Sequence, residues 1–259
     1  MNQQIIPFIA TFDDNFVELA KVCFLSLLKY HDNAKIYIIN SNLSEDSKAE
    51  LLNIESTIEF IQSPESELNV FDLTSGEGRW TPEVFNKVEC INMPEFAEYD
   101  KVVVIDVDTL FLGNIQEYFD NYANGNIYVA PIMVTDMNTL GHQMDDYFKL
   151  LDYKIYLCNS GFQILNLKRM REDNIYKRCM HGFKTVNRKL LKQLEEDVLY
   201  SECYPYIQQL PKPQFTLNGE DEVTKDTIFI HYVGRNKPHK KDCNYRKIWS
   251  KSKKANFKK

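Results

Sequence analysis

The sequence has only nine glycines in 259 residues, and none sits in a phosphate-gripping loop. No Gly-x-Gly-x-x-Gly and no Gly-x-x-x-x-Gly-Lys-Ser/Thr follows the first apolar segment, Ile5–Phe12, which argues against dinucleotide oxidoreductases and phosphate-loop ATPases. The six cysteines (Cys23, Cys90, Cys158, Cys179, Cys203, Cys243) contain no Cys-x-x-Cys pair, so neither a zinc site nor a dithiol redox site has support. Cys23 and Cys158 lie in apolar stretches and read as reduced core residues, as in a reducing compartment. No stretch approaches the roughly 20 apolar residues of a membrane-spanning helix. The first apolar run is interrupted by Pro7 and followed by Asp13 and Asp14, unlike a secretory signal. A cytoplasmic protein is expected. The body also lacks the basic face that nucleic acid requires. Residues 237–259 hold ten Lys or Arg against one acid, a charge of +9, so within the formal −6 the preceding residues carry −15.

What remains is ample material for a folded core: 44% hydrophobic and 13% aromatic residues are enough for one large domain. Ile5–Phe12 reads as a strand. Apolar residues at Phe16, Leu19, Ala20, Cys23, Phe24, Leu27 and Leu28 then mark a helix, with Asp14 as its cap. Ala34–Ile39, Ser44–Ile54 and Thr57–Ile61 continue as strand, helix and strand, the start of a doubly wound α/β fold. Further helices are expected from Thr81 to about Met93, at Ile115–Tyr122, around Gln143–Leu151, at Asn166–His181 and within Lys189–Tyr200. Ile127–Ile132, Ile155–Leu167 and Thr227–Val233 read as strands. The polar stretch Gln62–Arg79 reads as a surface loop.

The chemistry concentrates at Lys101–Gly113. Four consecutive β-branched residues, Val102–Ile105, read as a strand buried on both faces in the middle of a parallel sheet. It runs into Asp106 and Asp108, which strand alternation would point to one side. Two neighbouring acids repel, so a cation is their natural partner. The carboxyl ends of parallel strands are also where open α/β folds bind ligands. Farther on, Asn159-Ser160-Gly161 interrupts an apolar strand pattern and marks either a plain bulge or a close backbone approach to a ligand. His231 ends the last strand and is followed by Gly234 and Lys237.

In order along the chain stand Asp13-Asp14-Asn15-Phe16, Lys87, Asp106-Val107-Asp108, Asn159-Ser160-Gly161 and His231-Tyr-Val-Gly234-Arg-Asn-Lys237-Pro238. This series resembles glycosyltransferase family 8, which includes glycogenin and bacterial lipopolysaccharide galactosyl- and glucosyltransferases. The resemblance covers roughly residues 5–238. It implies a GT-A type nucleotide-diphospho-sugar transferase fold: a single Rossmann-like catalytic domain over 1–237 with a mostly parallel central sheet, and a basic tail over 238–259. It implies a retaining transferase that moves glucose or galactose from a UDP-sugar to a hydroxyl acceptor on a glycan or lipid-linked oligosaccharide.

By the same match, Asp106, Asp108 and His231 would hold the metal. A mixed carboxylate and imidazole set suits manganese better than magnesium, the alternative ion. Thr11, Asp13, Asn15, Phe16, Val107, Lys87, Gly234 and Lys237 would bind the nucleotide part of the donor, with Phe16 stacked on uracil where the family has Tyr. Asp136, Asn159, Glu195 and Glu196 would serve the donor sugar, Glu196 standing where the family has Gln.

Two alternatives remain open at this stage: a self-glucosylating, glycogenin-like initiator using one of the 15 tyrosines, and a non-catalytic UDP-sugar binder. The basic tail, with Tyr245, Trp249 and Phe257, reads either as a solvated terminus or as a peripheral contact with anionic membrane through its charges and aromatics.

Overall fold

A computed structural model describes residues 4–65, 82–131, 158–186, 195–217, 221–234 and 237–256. The expected helix around Gln143–Leu151, Asp136, and most of the loops at Gln62–Arg79 and Lys184–Gln193 lie outside the described residues.

Strand β1 (Ile6–Thr11) leads through a 3-10 turn, Asp14–Phe16, into α1 (Val17–Leu28). The turn is capped by Asp13, whose carboxylate accepts from the Asn15 amide at 2.9 Å. Asp14, expected as the helix cap, instead accepts from the backbone and hydroxyl of Ser44 at 3.0 and 3.2 Å. Strand β2 (Ala34–Asn40), α2 (Glu45–Leu52, capped by Ser44) and β3 (Glu59–Gln62) follow. A 3-10 turn at Pro82–Phe85 precedes the short α3 (Asn86–Glu89). That helix stops at Glu89, short of the expected Met93, the chain continuing in tight turns to Asn92, and Pro94 holds Met93 extended at ψ 133°.

Strands β4 (Val102–Ile105) and β5 (Thr109–Phe111), helix α4 (Gln116–Asn121), and strands β6 (Tyr128–Pro131) and β7 (Phe162–Leu165) come next. The basic segment after β7 forms two helices, α5 (Leu167–Glu172) and α6 (Ile175–Thr185), instead of one. Asn174 breaks it at φ 55°, a left-handed conformation that asparagine tolerates better than most residues. Helix α7 (Glu195–Cys203), strands β8 (Ile207–Leu210), β9 (Phe215–Leu217) and β10 (Phe229–His231), and helix α8 (Arg246–Asn256) complete the described chain.

The main sheet runs β3-β2-β1-β4-β7-β6-β8. Its described pairings are parallel except where β7 sits antiparallel to β4 and β6. Its faces bury different cores. Val103 and Ile105 point into one core with α1, while Val102 and Val104 point into the other with α3, α5, α6 and α7. The unbroken β-branched run of β4 follows from that: both of its sides are interior. A second sheet, β5-β10-β9, closes over the α1 side. No helix among the described residues is long and apolar enough to cross a membrane.

Candidate active site

The carboxyl ends of β1 and β4 lie side by side, with Ala10 paired to Ile105. Strand β4 ends at Ile105, so Asp106, Val107 and Asp108 form the turn into β5 rather than a continuation of the strand. Backbone contacts fix that turn. The Asp106 amide donates to Gly161 O at 3.0 Å, the Thr109 hydroxyl to Asp106 O at 2.7 Å, and the Tyr232 amide to Asp108 O at 2.9 Å. The second sheet then places His231 opposite Thr109, one residue from Asp108. His231 Nε2 lies 3.3 Å from Asp108 Oδ1 and 3.7 Å from Asp106 Oδ2. One ligand atom from each of Asp106, Asp108 and His231 falls within a 4.8 Å spread, a geometry that can close on one divalent cation. The donor set of two carboxylate oxygens and an imidazole nitrogen fits a divalent cation.

Two buried or half-buried lysines balance the acids. Lys87, 4% exposed, pairs with Asp106 at 2.8 Å and lies 3.6 Å from Glu195. Burial alone would lower its pKa, but the carboxylates of Asp106 and Glu195 dominate and hold it well above the usual lysine value. Lys237 pairs directly with Asp108 and also donates to Tyr232 O at 3.3 Å. Burial pushes Asp108 upward, yet His231 and Lys237 outweigh it and keep the carboxylate ionised far below its usual range.

Behind this pair lies a second acidic layer. Lys87 also donates to Ser160 O and Oγ, both at 3.3 Å, and the Ser160 hydroxyl donates to Glu196 Oε2 at 2.9 Å. Among the described residues, Glu195 Oε2 and Glu196 Oε1 are buried and accept no hydrogen bond. Burial raises Glu195 to about 7, opposed by Lys87; it raises Glu196 to about 8, reinforced by Glu195 and Asp197. At neutral pH Glu196 is therefore mainly an uncharged carboxyl, able to donate a hydrogen bond as an amide would.

Residues 7–243 match the profile described as glycosyl transferase family 8. The chain belongs to that family. A putative glycosyltransferase of Haemophilus influenzae is 22% identical over 231 residues, covering 81% of this chain and 65% of its own length. Among solved structures, the galactosyltransferase LgtC with donor and acceptor sugar analogues superposes with a TM-score of 0.80 at 17% identity, covering 96% of both chains. The bifunctional glycosyltransferase WbbM gives 0.75 at 18% identity over 96% of this chain and half of the WbbM chain. The chain thus spans about two thirds of the Haemophilus relative and half of WbbM. The α/β architecture is of the GT-A type.

The other residues expected at the site distribute around the Asp106, Asp108 and His231 cluster. At the end of β1, Thr11 donates to Glu83 O and accepts from Asn86, both at 3.0 Å. Asp13 and Asn15 bond each other at 3.2 Å, and Phe16 is 37% exposed, leaving its ring free to stack. Val107 is buried in the core, so only its backbone can face a ligand. Gly234 adopts φ 57° with no atom of the other described residues within 4 Å of where a Cβ would be, so its need for glycine is conformational. Asn159 turns toward His231: its Oδ1 lies 2.5 Å from His231 Nδ1 and accepts from the Gly161 amide at 3.0 Å. Two contributors carry no assigned role in the sequence, Ser160 and Gly161. The break in the apolar pattern at Asn159-Ser160-Gly161 and its place in the family series mark them, and the group that approaches there is the His231 ring.

Proposed function

We propose that this chain transfers a hexose, glucose or galactose, from a UDP-sugar to a hydroxyl of a glycan or lipid-linked oligosaccharide, with retention of configuration. The observation that carries this reading is the convergence of Asp106, Asp108 and His231 at the carboxyl end of β4. A bound manganese ion would supply Lewis-acid neutralisation of the departing diphosphate. The chain's own residues do the remaining work. Lys237 and the backbone at Gly234 receive phosphate charge, Phe16 stacks on the base, and Asp13 and Asn15 hold the nucleoside. Lys87 keeps Asp106 oriented and offers a buried cation beside the sugar. Glu195 accepts from sugar hydroxyls. Glu196, uncharged at neutral pH, takes the place of the family's amide and donates to an oxygen near the reacting carbon.

The exposed Arg246, Lys247, Lys251 and Lys254 of α8 support a peripheral contact with anionic membrane through charge, each adding about 1 kcal/mol near the surface. Trp249, expected as an interfacial anchor, is 7% exposed and packs into the core instead. Sedimentation with anionic liposomes, repeated on a chain with these four residues changed to Gln, tests this contact.

The decisive assay is UDP release from a panel of UDP-sugars with manganese, using Asp108→Ala as control. Release with one sugar that falls more than about 100-fold in the variant supports the reading and names the donor. Manganese-dependent UDP binding without release from any sugar, even with glycan acceptors added, would replace it with a non-catalytic binder.

A further inference from the structure

We propose that Asn159 is a positioning residue for the metal centre: it holds the proton on His231 Nδ1 and fixes the aim of the ring, while Gly161 supplies the space in which the imidazole lies. The inference rests on the metal-site reading above and adds how this chain prepares that site.

The argument starts at a backbone N–H. The Gly161 amide donates to Asn159 Oδ1 at 3.0 Å, and only the oxygen end of a carboxamide can accept. That bond decides which way the Asn159 side chain points. The same oxygen lies 2.5 Å from His231 Nδ1. Because this oxygen is an acceptor, Nδ1 must carry the proton. Nε2, which faces the Asp108 and Asp106 carboxylates at 3.3 and 3.7 Å, is then the nitrogen left to exchange its proton for a cation. The chain thus selects the nitrogen available to a cation before any cation arrives.

Sterics reinforce the choice. A Cβ built on Gly161 would overlap His231 Nδ1 and Cε1 and would approach Cγ to 2.7 Å. No side chain at 161 is compatible with this ring position. The platform is itself anchored at both ends: the Asn159 amide donates to Pro131 O at 2.8 Å, and Gly161 O receives the Asp106 amide at 3.0 Å. The turn 159–161 therefore touches two of the three metal ligands and orders both. Asn159 is 8% and His231 5% exposed, so water competes little for these bonds.

The test reads metal binding and tautomer, not turnover. Titration calorimetry with manganese alone should show affinity falling about 10–100-fold in Asn159→Ala and recovering in Asn159→Asp, which keeps an acceptor oxygen. Gly161→Ala should lose at least as much. Long-range proton–nitrogen NMR of the metal-free protein should show His231 Nδ1 protonated in the wild type and partly deprotonated in Asn159→Ala. Circular dichroism melts identify any variant that fails to fold, and the Asn159→Asp comparison then decides through its own tautomer and affinity. Equal manganese affinity in wild type and Asn159→Ala, or a wild-type ring with no proton on Nδ1, overturns the inference while leaving the metal site standing. A wild type that binds no manganese removes the metal site and this inference with it.

Discussion

Glu196→Gln should make the protein less sensitive to alkaline pH. Glu196 is 6% exposed, and burial, with Glu195 and Asp197 nearby, raises its pKa from the ordinary 4.5 to about 8. Between those values the folded chain holds a proton that the unfolded chain has released. Stability from the neutral carboxyl is therefore fully present below about pH 4.5 and is lost as pH rises through 8. Integrating over pH 6 to 9 gives a loss of about 2–3 kcal/mol for this group. In a chain of this length that corresponds to roughly 5–10 °C of melting temperature. A glutamine keeps the shape, can accept the Ser160 hydroxyl now bonded at 2.9 Å, and cannot ionise. Melting curves by circular dichroism at pH 6, 7.5 and 9, with EDTA present throughout, should show the variant gaining on the wild type by that amount as pH increases. Glu195, raised to about 7, leaves some slope in both proteins. Parallel pH profiles would mean that Glu196 has the same charge at both ends of the range, and the account of a neutral carboxyl in the site would fail.

Lys87→Met removes the cation between Asp106 and Glu195 and should destabilise the fold by about 3–5 kcal/mol in urea unfolding, since it leaves a buried acid uncompensated. A loss below 1 kcal/mol would show that water already reaches the pair. Phe16→Ala should leave melting unchanged, because the ring is 37% exposed, yet weaken UDP binding by about 1–3 kcal/mol in calorimetry if the ring stacks on the base. Trp249→Ala should cost about 3–5 kcal/mol of stability. Lys251→Ala on the same helix should stay within about 0.5 kcal/mol, and the contrast separates a packed helix from a loose tail.

Much of the frame was legible because local pattern and tertiary demand agree. Val102–Ile105 reads as a doubly buried strand, and its side chains divide between two cores. The spacing of Leu19, Cys23, Phe24 and Leu27 specifies the buried face of α1. The small sheet was mostly illegible: β5, β9 and β10 are three residues each, too short for a period to emerge, and only the apolar run ending at His231 showed. Yet that sheet is what carries His231 to Asp108. The break at Asn174 lay in a backbone conformation rather than in a pattern. In the tail, the density of lysine masked an inward-facing Trp249.

The same division explains what the site hid. Acids and a histidine at strand ends announce themselves by type and place, but their counter-charges are set by contact. Asp108 pairs with Lys237 across 129 positions, and Asn159 meets His231 across 72. No local rule predicts either partnership. Each follows only from β10 pairing with β5 and β7 pairing with β4, which bring the two turns, 106–108 and 159–161, against one imidazole. The pairing of strands therefore specifies the electrostatics of the site: it decides which carboxylates meet a lysine, which lie buried without one, and which nitrogen of His231 faces the acids.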